Sequence, residues 1–218
     1  MSQVAGPTAA LAGIPAGLQA QGVWAGRRQL FVRFAAEAET ATMYTADALA
    51  SEVKRGMSRS TYHSISISGR DPLANVEYLQ AAFKNIGDVL PVMLDGDGQR
   101  PQEIEQLRDF VKLAQVTLEG PSADANAERA FESVQVAAKA GMQHALVVCV
   151  DEKTSDAHVL RLIERAHATS EQVAVVVHPS TGVPVDRDRR WTTLFERAAS
   201  LHNDVRLALR LPPPTGMR

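Results

Sequence analysis

The chain has 218 residues, 23 Lys and Arg against 25 Asp and Glu, and a single cysteine. That length suits one domain with a real core, and near-neutral, interspersed charge excludes the basic face that nucleic-acid binding needs. One thiol excludes an internal disulfide or a Cys-rich metal site, and no apolar run reaches the length of a membrane span.

The first twenty residues are rich in Ala, Gly and Pro and lack the basic stretch of a secretory leader, so a cytoplasmic protein is expected. Residues 1–9 read as a flexible tail and residues 10–218 as one domain. From Leu30 onward, β-rich runs alternate with helical patterns. Strands are predicted at 30–34, 64–67, 89–94, 114–118, 145–150, 173–177 and 205–209. Runs of four to six apolar residues suit strands buried on both faces. The lone Cys149 falls inside the fifth run and reads as a small buried hydrophobe.

Between the strands, Val76, Leu79, Phe83 and Ile86 recur at helical spacing, with Gly87 as a stop. Pro101 is placed to open a helix carrying Ile104, Leu107, Phe110 and Val111 on one face. Phe131, Val134 and Ala138 line the next, ended by Gly141. Thr154 or Ser155 caps a helix with Val159, Leu160 and Ile163, and Trp191, Leu194, Phe195 and Ala198 stripe the last. Such alternation predicts an α/β fold: a partial, open parallel β/α barrel of about six to seven strands. The run 211–216, rich in proline, reads as irregular.

Parallel α/β folds place their reacting groups at the carboxyl ends of the strands. Those positions hold Glu37 and Glu39, then Gly69, Arg70 and Asp71, then Asp95 and Asp97, then Glu119, then Asp151 and Glu152, and last His178. If one mouth gathers them, the carboxylates must be solvated, paired with Arg27 or Arg70, or neutralised by a hard divalent cation. Asp and Gly are also ordinary turn residues, so Asp95-Gly96-Asp97-Gly98 has a purely conformational reading. His178, before Pro179, is either a satisfied strand-end imidazole or a general base.

Five segments, in chain order, resemble those of one enzyme family. Gln19, Gly22, Gly26 and Arg27 match the opening substrate-contacting segment, while Ala20 and Gln21 replace its glycine and glutamate. The stretch 26–44 is similar to the first strand and cluster loop, but the three cysteine positions read Glu37, Ala41 and Tyr44. The stretch 62–73 resembles the second strand and its G-G-E-P motif, with Gly69 and Pro72 kept and Arg70 and Asp71 exchanged. Asp95-Gly96-Asp97-Gly98 is similar to the turn after the third strand, and Thr154-Ser155-Asp156 to a helix start after the fifth.

Together these segments resemble the 7-carboxy-7-deazaguanine synthases of the radical S-adenosylmethionine superfamily, and the resemblance implies a radical-enzyme-like partial barrel, and a homodimer. Thiolates supply three ligands of such a cluster, and Ala41 has no donor to offer in place of one. No 4Fe–4S cluster is therefore expected, nor S-adenosylmethionine binding, nor radical catalysis. The leading expectation is a degenerate, cluster-free homologue that binds a small molecule or partner in the old cofactor cavity. Gln19, Gln21, Arg27, Gly69, Arg70, Asp71 and Asp95 are its candidate ligand contacts. One alternative is a non-radical lyase or hydrolase using Asp71, Asp95, Asp97 and His178, with Glu37 and Glu119 in reserve and a divalent metal left open. A regulatory or structural subunit is the other.

Overall fold

The structure is a computed structural model and describes residues 6–119, 123–180 and 189–208. The predicted irregular run at 211–216, and Leu209 at the end of the last predicted strand, lie outside them, as do residues 1–5 of the expected tail. Among the described residues one continuous ten-stranded sheet organises the fold, in the order β10-β9-β8-β7-β6-β5-β3-β1-β4, with β2 attached to β3.

Seven strands form its parallel body: β3 (Arg28–Phe34), β5 (Ser64–Gly69), β6 (Val92–Gly96), β7 (Val111–Leu118), β8 (Gln143–Val150), β9 (Ala174–Pro179) and β10 (Val205–Leu207). They stand side by side in chain order. They are also the seven strands the sequence predicts, with shifted ends. The run predicted from 89 begins pairing only at Val92, and the run predicted from 114 begins at Val111.

Three further strands are additions. β1 (Thr8–Gly13) and β2 (Ala16–Leu18) pair antiparallel with β3, and β4 (Thr42–Thr45) pairs antiparallel with β1. The expected tail thus ends earlier than predicted, because Thr8 and Ala9 already pair with Thr45 and Tyr44.

The helices are α1 (Ala46–Arg59), α2 (Val76–Ile86), α3 (Pro101–Ile104), α4 (Ala123–Lys139), α5 (Asp156–Thr169) and α6 (Arg190–Leu201). α3 corrects the sequence reading. Only its first turn is α-helical; a 3-10 turn at Glu105–Leu107 follows, and Val111 opens β7. The stripe Ile104, Leu107 and Val111 is buried as predicted, but the chain turns into a strand before a second helical turn forms.

Successive residues of a strand face opposite sides of a sheet, and here the two sides differ in kind. Leu30, Val32 and Phe34, Ile65 and Ile67, Val92 and Leu94, Leu146, Val148 and Val150, and Val175 and Val177 all pack into two clusters shared with the helices. The opposite face carries Met93, Leu113, Ala145 and Ala174, which contact Val23 and Trp24 instead. Every helix therefore covers one face. Sequential parallel strands with all their crossovers on one side are the arrangement of a β/α barrel, and β4 and β10 remain separate edges among the described residues. The fold is a mixed α/β open partial barrel with a mostly parallel sheet, as predicted.

Local signals start the helices. Thr45 Oγ1 accepts from Ala48 N at 3.1 Å ahead of α1, and Ser155 Oγ accepts from His158 N at 3.2 Å ahead of α5. Ser155, not Thr154, is the cap. Ser155→Ala is expected to lower stability by about 1 kcal/mol, the usual cost of a lost helix cap. Thermal or urea unfolding checks it, and an unchanged midpoint would contradict the assignment. No helix among the described residues is long and apolar enough to cross a membrane.

Candidate functional site: a polar cleft at the strand ends

The concave face is filled by this chain's own residues. After β2 the backbone folds back before β3, closed by Gln19 N to Arg27 O and Gly26 N to Gln19 O, both 2.9 Å. Gly22 and Gly26 take positive φ of 81° and 78° to make this turn. The resulting 19–27 hairpin lies over Met93, Leu113, Ala145 and Ala174, with Val23 and Trp24 supplying the apolar contact.

Four polar tethers fix it. Gln19 Nε2 donates to Asp95 Oδ2 at 3.0 Å. Gln21 Nε2 donates to Thr117 Oγ1 at 3.2 Å, and Val23 N to Gln115 Oε1 at 3.0 Å. Gly22 N donates to His178 Nε2 at 2.9 Å, which places the ring proton of this neutral imidazole on Nδ1. Gln115 in turn donates through Nε2 to Asp95 Oδ1 at 3.1 Å. Asp95 therefore joins β6, β7 and the hairpin.

Beyond the hairpin, a cleft of about 630 Å³ opens at the carboxyl ends of β5, β6 and β7. Gln21 and Thr117 form its floor beside Asp95. Ser68, Gly69, Asp97, Gln99, Glu119 and Asn126 complete the wall. None of these described lining residues is Lys or Arg. Its carboxylates, hydroxyls and amides set hydrogen-bond acceptors along the wall. Among the described residues, no three His, Cys, Asp or Glu side chains stand close enough together to hold a metal ion.

The predicted residues thus separate. Gln21, Gly69, Asp95, Asp97 and Glu119 come together at the cleft, and Gln19 lies directly beneath, 3 % exposed. The single mouth expected from the sequence does not gather the others. His178 is 1 % exposed and sits under the hairpin. Asp71 turns away to a two-point pair with Arg100, at 2.7 and 2.9 Å. Arg70 pairs with Glu37 at 3.0 Å on the exposed rim, and Glu39 with Arg33 at 2.6 Å. Asp151 caps its own turn by accepting from Thr154 Oγ1 and the amides of Lys153 and Thr154; these bonds, led by the hydroxyl, hold its carboxyl below the usual carboxylate value.

Arg27 is the clearest correction. It is exposed at the opposite, amino-terminal end of the barrel, where Trp24 meets His63 edge-on at 5.0 Å. There burial first, and the Arg27 charge second, hold the His63 imidazole below its ordinary value. The hairpin reverses direction between Gln21 and Arg27, so residues close in sequence face opposite ends. Of the positions matching cluster cysteines, Glu37 is exposed, Ala41 lies in a loop, and Tyr44 is held in β4 opposite Ala9. Cys149, on β8, is half-buried.

Sequence reasoning passed over Gln115, Thr117 and Ser68. The signal was present: Gln115 and Thr117 are polar residues two apart in the otherwise apolar run 114–118, and Ser64, Ser66 and Ser68 alternate with Ile65 and Ile67. A period of two with polar members marks one face of a strand.

No protein-family model matches the chain, and no curated protein matches it. Among solved structures, a type I 3-dehydroquinate dehydratase from Clostridium difficile, carrying covalently modified comenic acid, is similar with a TM-score of 0.47 and 11% identity, over 90% of this chain and 81% of that one. The Cgl0159 protein of Corynebacterium glutamicum is similar with a TM-score of 0.35 and 14% identity, over 74% and 68%. Similarity at this level bears on neither the chemistry nor the ligand of the cleft.

Proposed function

We propose that this chain is a cluster-free homologue of the 7-carboxy-7-deazaguanine synthases that binds a small, polar, positively charged molecule in the strand-end cleft. The observation that carries the binding half is the cleft's lining, where the Asp97 carboxylate stands with Asp95, Glu119 and the hydroxyl and amide groups of Ser68, Thr117, Gln21 and Gln99. A cationic nitrogen with several N–H donors is the complementary ligand, an amine, amidine or guanidine. Asp95 is held in place by Gln19 and Gln115, so little side-chain freedom is lost when a ligand arrives. Supporting the cluster-free half is donor chemistry, since Glu37, Ala41 and Tyr44 replace three thiolates and Glu37 is engaged by Arg70.

The test is a titration of isotope-labelled protein with small amines and guanidines, followed by amide chemical shifts. Shifts are expected at Gln21, Asp97 and Thr117. Asp97→Asn and Glu119→Gln should each weaken binding by roughly tenfold, the equivalent of losing ~1.4 kcal/mol. Unchanged affinity in both variants would remove the cleft from consideration. Anaerobic incubation with iron and sulfide tests the other half, where a stoichiometric cluster would overturn it.

A further inference from the structure

The 19–27 hairpin behaves in this structure as an occupant of the concave face, not as a wall of it. Its peptide groups and the Gln19 side chain make the contacts a bound ligand would make. Gly22 N–H meets an imidazole, Val23 N–H a side-chain amide, and the Gln19 amide a carboxylate. The groups it satisfies are among the most enclosed polar side chains of the sheet: His178 is 1 % exposed and Gln115 1 %. Close approach is possible only because residue 22 lacks a side chain, since a Cβ there would lie 1.8 Å from Gln115 Oε1.

One of these contacts is exclusive with a protonation event. His178 accepts from Gly22 through Nε2, and an imidazolium carries hydrogen on both nitrogens and cannot accept. Protonation would set two donors facing each other at 2.9 Å in a buried place. Among the described residues, the titratable groups on the strands beside it are Cys149, its register neighbour on β8, and Arg206 on β10, which lies opposite Val176 and is paired with Asp204 at 2.8 Å. The rim carboxylates Glu119 and Asp151 follow the ends of β7 and β8. From the hairpin side, Gln21, Gly22 and Val23 bring no titratable side chain.

We infer that the 19–27 hairpin is a built-in gate on the strand-end cleft, latched by Gly22 N–H on His178 Nε2 and released when that imidazole takes a proton. Release frees the partners of Gln115 and Asp95 and moves Gln21, the residue shared by hairpin and cleft. The cleft is then joined to the concave cavity beneath it, and its ligand site changes shape with pH. This gate rests on the binding reading above, because it regulates that cleft.

The test needs no ligand. Amide hydrogen exchange of the whole chain is measured at about pH 8 and about pH 4.5, the lower value reaching below the ordinary imidazole range because enclosure disfavours an imidazolium, and corrected for intrinsic exchange. The expected result is a loss of protection of at least about tenfold at Gly22, Val23 and Gly26 at the lower pH, while β8 amides such as Leu146 and Val148 keep theirs. His178→Gln, whose side-chain oxygen still accepts but does not titrate here, should hold the hairpin at both values. Equal protection in the wild-type protein at both pH values overturns the gate, and so does loss of hairpin and β8 protection together. The wild-type comparison stands even if the variant does not fold. Failure here leaves the amine titration at about pH 8 untouched, so the two readings are separable.

Discussion

Gly69→Ala is expected to destabilise the protein by at least about 3 kcal/mol, through backbone overlap added to left-handed strain. Gly69 ends β5 at a φ of +96°, directly beside the end of β3. A Cβ there would lie 2.2 Å from Phe34 O and 2.8 Å from Phe34 N. Those atoms belong to a central strand and cannot rotate away as a side-chain tip can. The next residue also donates, Arg70 N to Phe34 O at 3.2 Å, so the collision strikes a contact that closes the strand end. Urea unfolding checks the figure, and a loss below about 1 kcal/mol would show that β3 and β5 separate more easily than their register implies.

Gly22→Ala should cost somewhat less, about 2–4 kcal/mol, and in a different place. Residue 22 has a φ of +81°, and the nearest atom to a new Cβ is the end of the Gln115 side chain. Gln115 can swing aside, but then Val23 N and Asp95 Oδ1 both lose a partner. The expected signature is a hairpin whose amides exchange quickly over an intact sheet. Hydrogen exchange resolved by residue separates that outcome from general unfolding. A variant with full protection at Val23 would mean that the hairpin is not held by the contacts described here.

The body of the sheet was legible because its strands alternate with helices, and each buries a compact apolar run such as 145–150 or 173–177. The start of the chain was not. β1 is Thr-Ala-Ala-Leu-Ala-Gly and β2 only three residues, so neither carries a β-branched run. Their place comes from pairing with β3, a tertiary fact. α1 has a proper stripe in Ala46, Leu49, Ala50 and Val53, passed over because two of the four are small alanines. The helix predicted from Pro101 failed because its spacing was read through a chain reversal. Phe110 and Val111 bury against the same core from a turn and a strand.

The candidate site was legible in part, for the same kind of reason. Strand-end position put Asp95, Asp97, Glu119 and Gly69 in one group, and they line one cleft. It could not tell which carboxylates face the cleft and which turn to a nearby guanidinium, as Asp71 does to Arg100 and Glu37 to Arg70. Nor could it place Arg27, whose neighbours Gln19 and Gln21 reach the cleft while it points to the other end. The reversal at Gly22 and Gly26 decides that, and only the hydrogen bonds between Gln19 and Arg27 reveal it. His178 looked like a rim residue because it stands next to the end of β9, yet the hairpin lies over it.

The most direct measurement of the central claim is a crystal structure of the protein soaked with a guanidinium salt. The account predicts ordered guanidinium between Asp95, Asp97 and Glu119 at the ends of β6 and β7. Guanidinium ordered only in the smaller cleft at the other end of the barrel, beside Asp204 and His144, would contradict it, as would an empty strand-end cleft.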